Sequence, residues 1–303
     1  MSAVAKLEII RGATVYDVSD ILDFALVGDD GFGLPPIERL TEQGPNQHGV
    51  TDRGFRLQPR TLNLKIMSLP VDLSNFYALR DLILRIFKPS NAPLIVRRTI
   101  VGAGPGGADL VRCVDCHTVD GGRFSSEDAR ALAQKDVFQV YAPNPALYDP
   151  AGDALTFGST GGGTGFAVPT PVPSSVGAST LGDTAVINYE GSWLTYPKIR
   201  ITGPITDPVI TNLATGLKLD FTGITIADGS WYEIDCAYDK KTVVSNTGAN
   251  RIGDLTDDSD LTDFAIEAEP EASDGINSIQ VTGSAANANT KIDVTWFECY
   301  VGM

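Results

Sequence analysis

Cysteine is scarce in this chain. Cys113, Cys116, Cys236 and Cys299 are the only four among 303 residues, too few for a disulfide scaffold, so a reducing compartment is the plain expectation. Histidine is scarcer still. With only His48 and His117 and no GxSxG elbow, a histidine-dependent catalytic triad has few ways to form. No apolar run approaches the ~20 residues that a membrane span needs. The opening MSAVAKLEII has no apolar stretch followed by a small-residue cleavage site, so Sec export is not expected. Basic charge is short as well. Lys and Arg number 23 against 38 Asp and Glu, a net charge of −15, which argues against a protein that reads nucleic acid by gripping phosphates.

What is present suits a folded β-rich protein. Hydrophobic residues make up 43% and charged residues 20%, which excludes a wholly disordered chain. The 31 glycines and 18 prolines favour turns and short strands over long helices. Single cores stop growing at roughly 250–300 residues, so two domains are expected. A Pro-rich stretch from Ala142 to Pro150 and a Gly/Ser/Pro-rich segment from Gly158 to Gly177 place the boundary near Asp149, giving domains 1–149 and 150–303 with a linker or long loops over about 158–177. Charge divides unevenly across it. Residues 1–150 hold 16 basic and 18 acidic side chains, residues 151–303 hold 7 and 20, so the halves face different surroundings.

In the first half, Leu7–Ile10, Thr14–Val18 and Phe24–Val27 are short strand-like runs, and Leu62, Leu64 and Ile66 alternate with polar neighbours as in a half-buried strand. One helix is expected from about Leu73 to Phe87, capped by Asp72 or Ser74. Leu73, Phe76, Tyr77, Ile83, Leu84 and Phe87 form its apolar face, and Arg80 interrupts it. Strand signals resume at Pro93–Val101, Leu110–Val119 and Val137–Tyr141. The second half reads as all-β. Candidate strands are Thr184–Tyr189, Pro197–Thr202, Val209–Leu213, Leu217–Phe221, Trp231–Cys236, Lys241–Val244, Ile276–Val281 and Lys291–Tyr300, mostly at the 8–12-residue spacing of a β-sandwich.

Three motifs invite a chemical reading. Gly102, Gly104 and Gly107 spell GxGxxG, the spacing that brings backbone N–H groups to a pyrophosphate. Arg97 and Arg98 before it and the β-branched, alternating residues after it fit a Gly-rich hairpin loop better. Cys113, Cys116 and His117 spell CxxCH, but a closed zinc site lacks further ligands nearby and strand geometry sends the two cysteines to opposite faces. Asp254, Asp257, Asp258, Asp260 and Asp263 form an acidic run without the spacing of a calcium-binding loop. A solvated loop is the expectation. No catalytic residue, metal site or cofactor is expected.

The order of several short motifs resembles the distal tail protein (Dit) family of siphophages, the phages with long non-contractile tails. Gly31, Gly33, Pro35, Gly44, Pro59 and Arg60 are similar to the family's Gly/Pro turn, loop and Pro-Arg ahead of an alternating strand. Tyr77, Leu79, Arg80 and Leu82 match its single helix, and VFQVYAPNPALYDP resembles its exit strand with an aromatic–Asp-Pro signature. Pro197, Ile199, Ile201, Gly203, Pro208, Ile210, Asn212, Thr215 and Gly216 follow its C-terminal run, continued by Gly248–Arg251 and by GINSIQVTGS from Gly275. The Gly102–Gly107 hairpin, the long linker and the acidic stretch depart from the pattern.

The resemblance implies a mainly β protein. Its N-terminal domain would be a β-sandwich-like ring domain with one α-helix, and its C-terminal domain a peripheral galectin-like or carbohydrate-module-like β-sandwich. It implies a structural virion protein rather than an enzyme, made in the host cytoplasm and placed at the tail tip. As a homohexameric ring it would join the tail tube protein to the tip hub or baseplate and anchor a receptor-binding protein for host attachment. On that reading the near-neutral half packs among neighbours and the acidic half hangs outside. A different class of function is a host-saccharide-binding module in the C-terminal sandwich, with Trp193, Tyr196, Trp231 and Tyr232 stacking on sugar rings; core packing is their plainer role.

Overall fold

The structure is a computed structural model that describes residues 5–124, 134–158 and 179–303. The chain divides into two compact units, Met1–Pro150 with Tyr300–Met303, and Ala151–Cys299. Residues 159–177 of the expected linker lie outside the described residues.

The first unit is built from β1 (Ala5–Arg11), β2 (Thr14–Asp17), β3 (Phe24–Asp30), β4 (Ile37–Glu42), β5 (Thr51–Leu57), β6 (Arg60–Ser68), α1 (Leu73–Ile86), β7 (Leu94–Ile100), β8 (Leu110–Asp120), β9 (Gln134–Ala142) and β10 (Leu147–Tyr148). Its main sheet runs in the order β2-β1-β7-β8-β9-β6-β3. In β8, Leu110–Cys116 pairs with β7, whereas His117 to Asp120 pairs with β9. One long strand thus passes the sheet from one side of the core to the other. Leu7, Ile9 and Val96 on one side and Leu62, Leu64, Ile66 and Val140 on the other belong to a single buried cluster. The alternation read at Thr61–Ile66 is what β6 shows, with Leu62, Leu64 and Ile66 inside.

Helix α1 covers this core. Asp72 caps it by accepting the Asn75 N–H at 2.7 Å, which satisfies one of the donors a helix start leaves free. The buried line is Phe76, Leu79, Ile83 and Ile86, a correction to the expected face: Leu73, Tyr77 and Leu84 are exposed. The helix is rolled toward Leu79 and Leu82, which pack on the core cluster. Arg80 places its guanidinium 4.3 Å from the Phe124 ring centroid, so it serves as an aromatic cover rather than a flaw in the stripe. Phe87, just past the helix, stacks on Phe138 with centroids 4.2 Å apart.

The second unit comprises β11 (Asp153–Gly158), β12 (Ser179–Asn188), β13 (Lys198–Thr202), β14 (Ile205–Asn212), β15 (Lys218–Asp220), β16 (Thr225–Ile226), β17 (Trp231–Asp235), β18 (Thr242–Ser245), β19 (Ile276–Ala286) and β20 (Lys291–Trp296). It is a β-sandwich of two antiparallel sheets, β11-β20-β13-β17-β18 and β12-β19-β14-β15, with β16 beside β14. Inward residues of both sheets, among them Ile199, Ile201, Ile234, Ile292, Ile210, Ile279 and Val281, form one core. The fold is mainly β with a single α-helix among the described residues.

The last four residues correct the expected boundary. The strand read over Lys291–Tyr300 is broken into β20 and a short β21 (Cys299–Tyr300), which pairs with β10. Tyr300–Met303 belong to the first unit. The Tyr300 ring lies 3.5 Å from the Arg112 guanidinium, the Val301 carbonyl accepts Arg60 Nη2 at 2.7 Å, and the Met303 N–H donates to the Phe32 carbonyl at 3.0 Å. These contacts need partners some 190 to 270 positions upstream, so no local pattern announces them.

Candidate assembly interface

Among its described residues, the first unit carries a strand pair that neither its main sheet nor its core cluster includes. Among the described residues, strands β4 and β5 pair only with each other, from Ile37↔Leu57 to Glu42↔Thr51. Nearly all of their residues are exposed, including Ile37 at 48% and Phe55 at 47%. Isolated two-stranded ribbons are marginally stable in water, so this one leans on side chains. Arg39 pairs with Asp52 at 3.1 Å and lies 5.6 Å from the Phe55 ring centroid. Arg53 pairs with Glu42 at 2.6 Å. At the tip, Gln47 ties the loop, accepting the Gly44 N–H and donating to Thr51 Oγ1. Such exposed pairs are each worth at most about 1 kcal/mol. Among the described residues no other strand pairs with either outer edge of the ribbon, the kind of edge to which another strand can add.

The base of the hairpin is held far more firmly. Arg60, the first residue of β6 and three positions past the hairpin, is 1% exposed. Its guanidinium donates to four carbonyls: Gly31 and Gly33 just before the hairpin, Pro145, and Val301 near the C-terminus, at 2.7–2.8 Å. Burial pushes its pKa down, yet four short charge-assisted bonds hold the cation. Gly31 adopts φ +99°, and a Cβ there would sit 2.3 Å from the Thr61 carbonyl oxygen, so this approach demands glycine. The Pro-Arg and Gly/Pro signals of the sequence therefore meet in one clamp. The sequence shows the residues but not that they meet.

The outer face of β1 and β7 is charged and internally matched. Glu8 contacts Arg97 at 2.6 Å and Lys6 at 2.8 Å, and Lys6 also reaches Asp17 at 3.3 Å. Burial would raise the Glu8 carboxyl, but the bonds from Arg97 and Lys6 outweigh it and hold it below the usual carboxylate range.

The residues singled out from sequence fall in separate places. Gly102, Gly104 and Gly107 lie in the connection of the β7–β8 hairpin, where Pro105–Gly107 makes one short 3-10 turn. Cys116 joins the core, while Cys113 is buried on the other face of β8, in register with Tyr148. Burial pushes both thiols up to about 12, which leaves them protonated and unreactive. His117 lies with Nδ1 3.4 Å from the Ser90 carbonyl. Among the described residues no group of three or more His, Cys, Asp or Glu is placed to hold a metal ion.

The acidic run is dispersed over structural tasks. Asp254 accepts the Tyr232 hydroxyl at 2.8 Å, Asp258 lies 3.5 Å from Lys218, and Asp260 accepts the Asp263 N–H. The four aromatics do not make one platform. Tyr232 is turned into the core, so Trp231, its neighbour on β17, faces the other way, with Arg200 4.4 Å from its ring centroid. Tyr196 lies under the Lys241 ammonium, 4.1 Å from its ring centroid. Trp193 is half-buried, with its N–H on the Cys299 carbonyl and its own carbonyl accepting the Tyr189 hydroxyl.

Two buried amides form a further constellation that no local sequence pattern announces. Asn212 and Asn277 are fully buried. Asn277 donates to the carbonyls of Glu267 and Gly275 and accepts from the Glu267 N–H and from Asn212 Nδ2. Asn212 donates in addition to the Ala265 carbonyl and accepts the Ala214 N–H. Gly275 beside them has φ +66°, and a Cβ there would meet the Tyr189 carbonyl oxygen at 2.2 Å.

Known proteins bear on this arrangement in two ways. Residues 12–100, which contain the hairpin and the Arg60 clamp, match the family model of the phage tail protein RIFT-related domain. No curated protein matches the sequence. The fold is similar to that of the Dit protein (gp 19.1) of phage SPP1, described as a paradigm of the hub adsorption apparatus in phages infecting Gram-positive hosts. The TM-score is 0.61 at 11% identity, over 98% of this chain and 99% of that one. It is also similar to a chain of the phage P2 baseplate in its activated conformation with Ca, with a TM-score of 0.51 at 11% identity over 96% and 98%. A chain of the same baseplate with Sr gives a TM-score of 0.50 at 12% identity. The chain is similar in fold to a Dit protein over nearly its whole length, and its residues 12–100 match the model of the phage tail RIFT-related domain.

Proposed function

We propose that this chain is a structural component of a siphophage tail tip, a ring-forming hub that joins the tail tube to the tip and anchors the receptor-binding machinery. The observation that carries this reading is the near-complete coverage of both chains in the match to a hub protein. The β4–β5 hairpin supports it: a ribbon with two open edges, rooted by a buried cation, is suited to pairing with a neighbouring copy. Head-to-tail contacts of this kind close into rings when the rotation permits. The mechanism is geometric rather than chemical. The first unit forms the ring, and the second, which holds the excess acidic charge, stands outside, where like charge keeps copies apart and soluble.

Purified protein should give a particle of six times the 32.2 kDa chain by mass photometry, with a central opening in negative stain. A strict monomer at all concentrations, with no ring in virions, would sink the reading. The alternative of a host-saccharide module rests on Trp231, the aromatic on the outer sheet face beside Arg200 and Glu233. Loss of wall binding in Trp231→Ala, with the ring intact, is an outcome that only this alternative produces.

A further inference from the structure

The two flanks of the second-unit sandwich are finished differently. On one flank both edge strands are covered by the segment between β18 and β19. The Thr256 and Asp260 N–H groups donate to the Asp220 and Lys218 carbonyls of β15, and the Arg251 N–H donates to the Val243 carbonyl of β18. On the other flank β11 and β12 end their sheets, and among the described residues no further backbone pairs with either. An edge strand left open turns alternate N–H and C=O groups toward any strand that approaches.

A cavity of about 450 Å³ opens at this seam, lined by Asp153 and Leu155 of β11, Asn188 and Glu190 at the end of β12, and Trp296 and Glu298 at the end of β20. Its lining holds three carboxylates and no basic side chain. The Glu298 carboxylate sits beside the Trp296 indole and accepts the N–H groups of Glu190 and Gly191; burial, with Asp153 nearby, pushes its pKa up. A positive group entering here would relieve that crowding, whereas an anion would be repelled. Val186 of β12, 55% exposed, offers an apolar contact on the same seam.

We propose that the β11/β12 seam receives an extended, basic segment of a partner protein, which pairs with the open edge of β12 and places a Lys or Arg side chain in the cavity. Strand addition supplies backbone hydrogen bonds and the acidic cavity supplies selection. The inference rests on the tail-tip reading only for where the partner comes from.

The test uses the full chain and a synthetic peptide of alternating lysine and threonine, followed by calorimetric titration. The expected result is saturable binding of one peptide per chain. Asp153→Lys with Glu190→Lys should weaken it about tenfold. The same charge change on the covered flank, Asp257→Lys with Asp258→Lys, should leave it nearly unchanged. A peptide N-methylated at alternate residues, which lacks the donors for strand pairing, should also bind about tenfold more weakly. Equal losses from both charge reversals, indifference to N-methylation, or no binding would each overturn the proposal. Mass photometry of the same samples separates the two readings: a ring that ignores the peptide removes only the seam, and a strict monomer that binds it removes only the ring.

Discussion

Arg60→Ala should loosen the base of the β4–β5 hairpin and cost the first unit about 4 kcal/mol or more. The wild-type guanidinium satisfies four carbonyls from three chain segments. An orphaned buried acceptor costs about 1–3 kcal/mol, and water entering the vacated space recovers part of that. The cation itself is lost with the side chain, so no uncompensated charge remains to be counted. Lysine should rescue little, because one ammonium cannot span a fork of acceptors that a planar guanidinium reaches at once. Two units need not unfold together, so hydrogen exchange read by segment is the suitable measurement. Faster exchange should concentrate at the Gly31–Gly33 turn, at residues 145–148 and at the C-terminal residues 300–303. Unchanged protection there would refute the clamp. Because the clamp brackets the hairpin, ring formation should fail in the same variant while the second unit keeps its own stability.

The second large effect is expected at Asn277. Its amide makes four hydrogen bonds with no exposure to solvent, and Asn277→Ala should cost the second unit about 2–4 kcal/mol in urea unfolding. Asn277→Asp sharpens the test. The new carboxylate would face two carbonyls that the amide NH₂ now serves, so burial and repulsion raise its folded-state pKa above the ordinary aspartate value of about 3.9. A group raised in this way destabilises the fold above its folded pKa, and the penalty shrinks as pH falls through that value and the acid regains one donor. The deficit of Asn277→Asp against wild type should therefore narrow on acidification, while that of Asn277→Ala should not. Parallel pH profiles for the two variants would show that the amide is not the keystone of this turn.

How much of this was legible in the sequence depends on the range of each interaction. The strand at Leu62–Ile66 was readable because burial of one face repeats every second residue, and β6 carries that pattern without exception. The helix was readable from spacing and from Asp72, but its rotation was not: the choice between Tyr77 and Leu79 as the inward side chain is made by the sheet beneath. The β4–β5 hairpin left no alternation to read, since most residues on both faces of IERLTE and TDRGFRL are exposed. The candidate aromatics show the same limit. Trp231 and Tyr232 look equivalent in sequence, and the pleat of β17 sends one outward and the other into the core.

The scarcities at the start keep their meaning at the level where composition acts. Few cysteines, few histidines, a shortage of basic charge and an abundance of Gly and Pro are properties of the chain as a whole, and they determined by themselves a β-rich protein of acidic balance, in which helix α1 is local enough to read. Only the tertiary structure decided what the distinctive residues do. Arg60 became a clamp, Asn212 and Asn277 a buried amide pair, Tyr300–Met303 a return to the first unit, and β11 and β12 the end strands of their sheets. The physical reason is the same in each case: these roles depend on partners tens to hundreds of residues away, and the cost of burying a charge or an amide is met only when the whole fold brings those partners within hydrogen-bonding distance.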